Sequence, residues 1–137
     1  MIVVDTGPLV ALLDADDRHH ERCRVWLESN QEPLAVPVPV VTETCYFIER
    51  DSGAEVEADF LGSFGAGAMF KMVDLSPVEW TRAADLIRTY ADLPLGLIDA
   101  AVVAVAERLG ATQIATLDRR HFNVVRPVHV AAFELLP

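Results

Sequence analysis

The sequence predicts an α/β fold: a central, mainly parallel sheet of four to five strands with helices on both faces. Short apolar, β-branched runs alternate along the chain with longer amphipathic segments, the order that produces strand–helix–strand crossovers. The runs carry almost no polar positions, as expected of strands covered on both sides. At 137 residues, 52% of them hydrophobic, the chain is expected to bury a sizeable core in one domain spanning residues 1–137.

Each element follows from local chemistry. Residues 2–4 (IVV) are a β-branched buried strand. Pro8 is suited to a helix start, and Leu9, Leu12 and Leu13 share a face of "PLVALLDAD". Cys23, Trp26 and Leu27 form one side of an amphipathic helix in "DDRHHERCRVWLESN". "PLAVPV" reads as a second strand kept short by its prolines. "VVTETCYFIERD" and "AEVEADFLGSFG" read as helices, and "FKMVDL" as a third strand. In "SPVEWTRAADLIRTYADL", Ser76 as N-cap, Pro77 at N1 and Glu79 at N3 mark a helix start. "LIDAAVVAVAERLG" is apolar almost all round, so it is expected as a buried helix closed by Gly110. "QIATLD" is a fourth strand and "VHVAAF" an expected edge strand.

Composition narrows the function classes. No apolar run approaches the roughly 20 residues needed to span a bilayer. The first residues lack a basic stretch and a small-residue cleavage site, so no secretory signal is expected. Cys23 and Cys45 are too few and too distant for a disulfide framework or a metal knuckle and are expected as core residues. A cytoplasmic protein with no membrane association is the resulting expectation. The net charge of −10 argues against generic nucleic-acid coating, which needs a basic face. It is compatible with a site that meets phosphate through divalent cations held by carboxylates, and with a partner carrying a basic tail.

The opening "VVDTG" is spelled as in aspartic proteases. Such proteases are nearly all β, whereas here a helix is expected straight after the glycine, so that reading is disfavoured. Four acids stand apart from the many on mixed helix faces. Asp5 ends "IVVD" and Asp118 ends "IATLD"; Glu43 sits within "VPVVTETCYFI", and Asp99 is the one charge in the first turns of "LIDAAVVAVA". Strand ends and helix starts meet along one edge of an open α/β sheet. Buried carboxylates that converge are costly unless a cation joins them, and hard oxygen donors favour Mg²⁺ or Mn²⁺ over zinc. Each acid also has a structural alternative: Asp5 or Asp99 as a helix cap, Glu43 as a favourable charge near a helix start, Asp118 as a turn residue.

Taken together, "MIVVDTGPLVALLD", "VPVPVVTETCYFI" and "LGLIDAAVVAVAERLGATQIATLDRRHF" resemble the PIN-domain ribonuclease toxins of VapBC toxin–antitoxin pairs over essentially the whole chain. The resemblance implies a PIN-like three-layer α/β/α sandwich and a Mg²⁺- or Mn²⁺-dependent endoribonuclease. It places Asp5 and Asp99 as principal metal ligands, with Glu43 and Asp118 completing the catalytic site. Thr116 falls on the family's small hydroxyl position two residues before the last acid, and Thr6 is expected to cap the next helix or orient Asp5. Water activated by a cation is expected to leave 5′-phosphate and 3′-hydroxyl ends. Arg119 and Arg120 are placed to meet the RNA backbone, with a solvated turn as the alternative. His19 and His20 are expected on an exposed helix face and His121 in packing beside Phe122.

The resemblance further implies a homodimer, held inactive by a VapB-like antitoxin whose tail fills an apolar groove. Trp26, Leu27, Phe60, Leu61 and Phe64 are compatible with such a groove, and equally with an ordinary core. The expected substrate is a tRNA or a ribosomal RNA. A noncatalytic PIN-like module binding RNA or protein is the second reading, which the four acids argue against.

Overall fold

The computed structural model describes residues 1–65 and 69–137. Five strands form one sheet: β1 (Ile2–Val4), β2 (Leu34–Pro37), β3 (Phe70–Val73), β4 (Gln113–Ala115) and β5 (Glu134–Leu136). Their order is β3-β2-β1-β4-β5 and every pairing is parallel, with Val3 opposite Ala35 on one side and Ile114 on the other. The sheet is thus wholly parallel. The chain builds outward from β1 through β2 to β3, then returns to lay β4 on the other side of β1. That reversal makes the β1/β4 boundary the topological switch point, where the carboxyl ends of strands leave a crevice.

Seven helices are described: α1 (Thr6–Leu13), α2 (His20–Ser29), α3 (Val38–Asp51), α4 (Ala54–Gly65), α5 (Pro77–Thr89), α6 (Leu97–Leu109) and α7 (Arg119–Val124). Helix α6 packs on β1, β2 and β4, while α3 packs on β2 and β3 and α4 on β3. β1 and β2 are buried along their full length, as their apolar runs require. In α6, Ala100 to Ala106 are all buried, which accounts for its lack of a polar stripe. Gly110 ends it at φ 63°, a left-handed conformation that a Cβ would strain. In α5 the Glu79 carboxylate accepts from the Ser76 backbone N–H at 2.6 Å, so the expected start is observed.

Three expectations are corrected. α1 begins at Thr6, not Pro8, because Asp5 caps it directly after the strand. The edge strand is Glu134–Leu136 and not 128–133, where Val128 is 76% exposed and Val130 and Phe133 pack on the core from a bent segment. Pairing opposite β4 puts Glu134 across from Gln113, whose amide donates to its carboxylate at 2.8 Å. Arg119 to Val124, for whose first two residues a solvated turn was the alternative, form helix α7. Cys23 is buried as expected, while Cys45 is only partly so.

The left-handed turn at Gly110 gives a stability test. Gly110→Ala is expected to lower unfolding free energy by about 1 kcal/mol in urea denaturation, the cost of forcing a Cβ into that region.

Candidate active site

The switch-point crevice opens into a pocket of about 870 Å³ lined by Asp5, Glu43, Asp99 and Asp118, together with Thr6, His121, Arg18 and His19. All four acids singled out in the sequence therefore face one space. They arrive from four places in the chain. Asp5 follows β1 and caps α1, Glu43 lies in the second turn of α3, Asp99 is at N3 of α6, and Asp118 caps α7. The capping alternative for Asp5 is thus real, and Asp118, read alternatively as a turn residue, caps a helix too; both acids line the pocket as well.

Asp5 is the most confined, at 6% exposure. Its Oδ1 accepts from the Thr6 backbone N–H at 2.7 Å and its Oδ2 from the Thr116 hydroxyl at 2.8 Å. The Thr116 Oγ1 in turn accepts from the Asp118 backbone N–H at 3.0 Å. The hydroxyl of one threonine, a residue 1% exposed, therefore ties the residue after β1 to the loop after β4. Thr6 neither caps α1 nor uses its hydroxyl on Asp5; that hydroxyl donates to Glu43 Oε2 at 2.6 Å. Gly7 lets α1 lie close to that loop, since a Cβ there would sit 3.2 Å from the Leu117 side chain.

A second cluster forms beside the first. His121 Nδ1 lies 2.9 Å from Asp99 Oδ2 and 3.5 Å from Asp118 Oδ2, buried yet aligned for a hydrogen bond with neither. Asp99 Oδ2 also accepts from the Gly96 backbone N–H at 3.4 Å, so Asp99 belongs to a capping box and is not the N-cap. Asp118 Oδ1 accepts from the Arg120 N–H at 3.0 Å, and its side chain is 52% exposed. Asp118 is thus less enclosed than a place at the end of an apolar run suggested.

Burial pushes the Asp5 carboxyl up to about 6; the Thr116 and Thr6 hydrogen bonds pull against this, and the charges of Asp99 and Glu43 add to the rise. Burial also raises Asp99, opposed first by His121 and then by the Gly96 N–H, with the Asp118 charge adding to the rise. The site thus concentrates negative charge that its own donors offset only in part. Its donors are hard oxygens with no thiolate, which suits Mg²⁺ or Mn²⁺. Among the described residues, no three His, Cys, Asp or Glu side chains stand close enough together to enclose an ion as they are. In the arrangement described, both Asp5 oxygens are engaged by Thr6 and Thr116.

Of the two arginines assigned to RNA, Arg119 donates to the Leu135 and Pro137 carbonyls at 3.3 and 2.7 Å. Arg120 is exposed. The lysine or arginine that lines the pocket is Arg18, whose Nε donates to His19 Nε2 at 3.0 Å. Arg18 and His19 lie in the α1–α2 connection, shaped by Asp14 and Asp17 accepting from the N–H groups two residues on. His121 was expected only in packing and instead faces two of the acids. The available signal was the Asp-x-x-His spacing, which brings both side chains to one side once "DRRHF" is helical.

The sign of the Asp5 effect is checkable. Its folded-state pKa lies above the ordinary 3.8, so between these values the folded chain binds more protons than the unfolded one. Metal-free protein should therefore lose stability as pH rises from about 4 through about 6, by up to about 3 kcal/mol. Urea denaturation in EDTA at pH 5 and pH 8 should show the part of this loss that remains above pH 5, about 1 kcal/mol, in the wild type and a smaller one in Asp5→Asn. Thr116→Val should cost about 1–3 kcal/mol, since it leaves Asp5 Oδ2 and the Asp118 N–H without partners.

Comparison with known proteins agrees with this architecture. The family model described as PIN domain matches residues 2–127. The chain is 32% identical to ribonuclease VapC26 of Mycobacterium tuberculosis over 99% of its own length and 100% of that protein's. Its fold superposes on VapC20 of M. tuberculosis, a sarcin-ricin-loop-cleaving toxin, with a TM-score of 0.81 at 18% identity, covering 95% of this chain and 98% of that one. A toxin–antitoxin complex from Klebsiella pneumoniae matches with a TM-score of 0.69 at 19% identity, over 91% and 92% of the two chains. With a family match across most of its length and an end-to-end VapC relative, this chain belongs to the PIN-domain family, among the VapC proteins.

Proposed function

We propose that this chain, as one PIN domain, is the toxin of a type II toxin–antitoxin pair: a Mg²⁺- or Mn²⁺-dependent endoribonuclease acting in the cytoplasm. The observation that carries the reading is the meeting of Asp5, Glu43, Asp99 and Asp118 in one pocket at the switch point of a parallel sheet. The end-to-end likeness to a ribonuclease supports the same chemistry. Among the described residues no helix is long and apolar enough to cross a membrane.

Asp5 and Asp99 are the principal ligands in this reading, with Glu43 and Asp118 completing the set. When bound, the cation lowers the pKa of water in the site and offsets charge that develops at phosphorus. Thr116 holds the Asp5 carboxylate and Thr6 holds Glu43, so both acids are oriented before substrate arrives. Glu43 and the exposed Asp118 are placed to take the proton of the attacking water. Direct attack by water gives 5′-phosphate and 3′-hydroxyl ends. Arg18 at the pocket rim and the exposed Arg120 are the side chains that meet the RNA backbone, of a tRNA or a ribosomal RNA.

The partners in this reading are a second copy of the chain and a VapB-like antitoxin. Of the apolar residues considered for a docking groove, Phe60 is buried and Trp26, Leu27 and Phe64 pack against the core. Leu61, at 44% exposure, is the one largely open to a partner.

Incubation of the purified protein with total RNA should give Mn²⁺-dependent cleavage that EDTA abolishes. Asp99→Asn should lower the rate by more than the roughly 100-fold reached by residues that merely support a ligand. Cleavage that persists in EDTA, or in Asp99→Asn, would sink the reading. Proteolysis blocked by pepstatin-like compounds would restore the protease alternative.

A further inference from the structure

We infer that His121 is a positioning residue of this site: a single Nδ1–H group that spans Asp99 and Asp118 and sets the separation of their carboxylates. The inference rests on the nuclease reading above and adds a residue to it. Three features of the geometry carry it.

The first is placement. His121 Nδ1 lies 2.9 Å from Asp99 Oδ2 and 3.5 Å from Asp118 Oδ2. The ring therefore stands between an acid on α6 and an acid at the start of α7, helices that β4 separates along the chain. The second is economy of partners. The nitrogen is buried and has no aligned hydrogen bond, so it has no other polar role to satisfy. A buried ring nitrogen that belongs only to apolar packing would be turned away from two carboxylates or paired with a backbone carbonyl, as His129 is with Ala111.

The third is what remains free. Asp99 Oδ2 is held by the Gly96 N–H and faces His121, while Asp99 Oδ1 has no hydrogen-bond partner among the described residues. Asp118 Oδ1 is taken by the Arg120 N–H, so its Oδ2 is the oxygen that stands beside His121. His121 thus restrains one oxygen of each acid. It leaves Asp99 Oδ1 to the reaction centre. Residues that orient ligands in this way commonly set affinity for the ion as well as rate.

Asparagine and glutamine separate this role from packing, because the Asn amide nitrogen occupies the place of Nδ1 and the Gln nitrogen that of Nε2. Two quantities are read: Mn²⁺ binding to the protein alone by electron paramagnetic resonance, and kcat and KM on a defined RNA. His121→Gln is expected to lose about 10- to 100-fold in Mn²⁺ affinity and in kcat, with KM for RNA little changed, and His121→Asn to stay within about threefold of wild type. In the metal-free wild type, nitrogen NMR is expected to find the His121 proton on Nδ1. Equal behaviour of the Asn and Gln variants would overturn the inference, as would a proton found only on Nε2. A wild type that binds Mn²⁺ and cuts RNA while His121→Gln is unaffected sinks the His121 role alone. A wild type that neither binds Mn²⁺ nor cuts RNA overturns the nuclease reading and this inference together.

Discussion

A carboxylate only 6% exposed, standing at the end of the central strand, has to be compensated, and the surroundings of Asp5 are arranged to do it. Two donors reach it, the Thr6 N–H and the Thr116 hydroxyl. The first is available because α1 starts at once after β1. The second is available because β4 pairs with β1 in a register that sets Val4 opposite Ala115, one residue before Thr116. Compensation is still incomplete, since burial holds the group up near 6. The fold therefore keeps a charged group at a place where it is costly, and that cost is what a cation would relieve.

The rest of the site is built outward from this point. Thr116 passes the constraint to Asp118 through its backbone N–H, and Asp118 starts α7, which delivers His121. Thr6 passes it to Glu43 on α3. Asp99 comes from the helix whose run of buried residues, Ala100 to Ala106, fixes it in the core. The four acids do not form one rigid cage. Asp5 and Glu43 share one hydrogen-bonded group through Thr6, Asp99 and Asp118 flank His121, and Thr116 links the two sides, with charge repulsion between them; that leaves the carboxylates room to draw together around an ion.

The sheet, the buried helix and the acids were legible in the sequence because each rests on a local signal. β-Branched runs, the Ser76–Pro77–Glu79 start and an acid at the edge of an apolar stretch all act within a few residues. What was not legible depends on contacts between distant segments. The edge strand lies after "VHVAAF" because its register is set by Gln113 opposite Glu134. Asp5 displaced Pro8 as the start of α1 because a strand end and a helix cap fell on one residue. Arg119 and Arg120 looked equivalent side by side, yet Arg119 is occupied by the Leu135 and Pro137 carbonyls. His121 looked like a neighbour of Phe122 because the six-residue helix that turns it toward Asp99 is too short to show a period.

In the proposed nuclease the Asp5 and Asp99 carboxylates share a cation at the switch point. Anomalous diffraction from crystals soaked in Mn²⁺ would locate that cation. A manganese peak is expected within coordination distance of an oxygen from each of those two residues, with Glu43 or Asp118 close enough to join directly or through water. A peak elsewhere on the chain, or none at Mn²⁺ concentrations that support RNA cleavage, would contradict it.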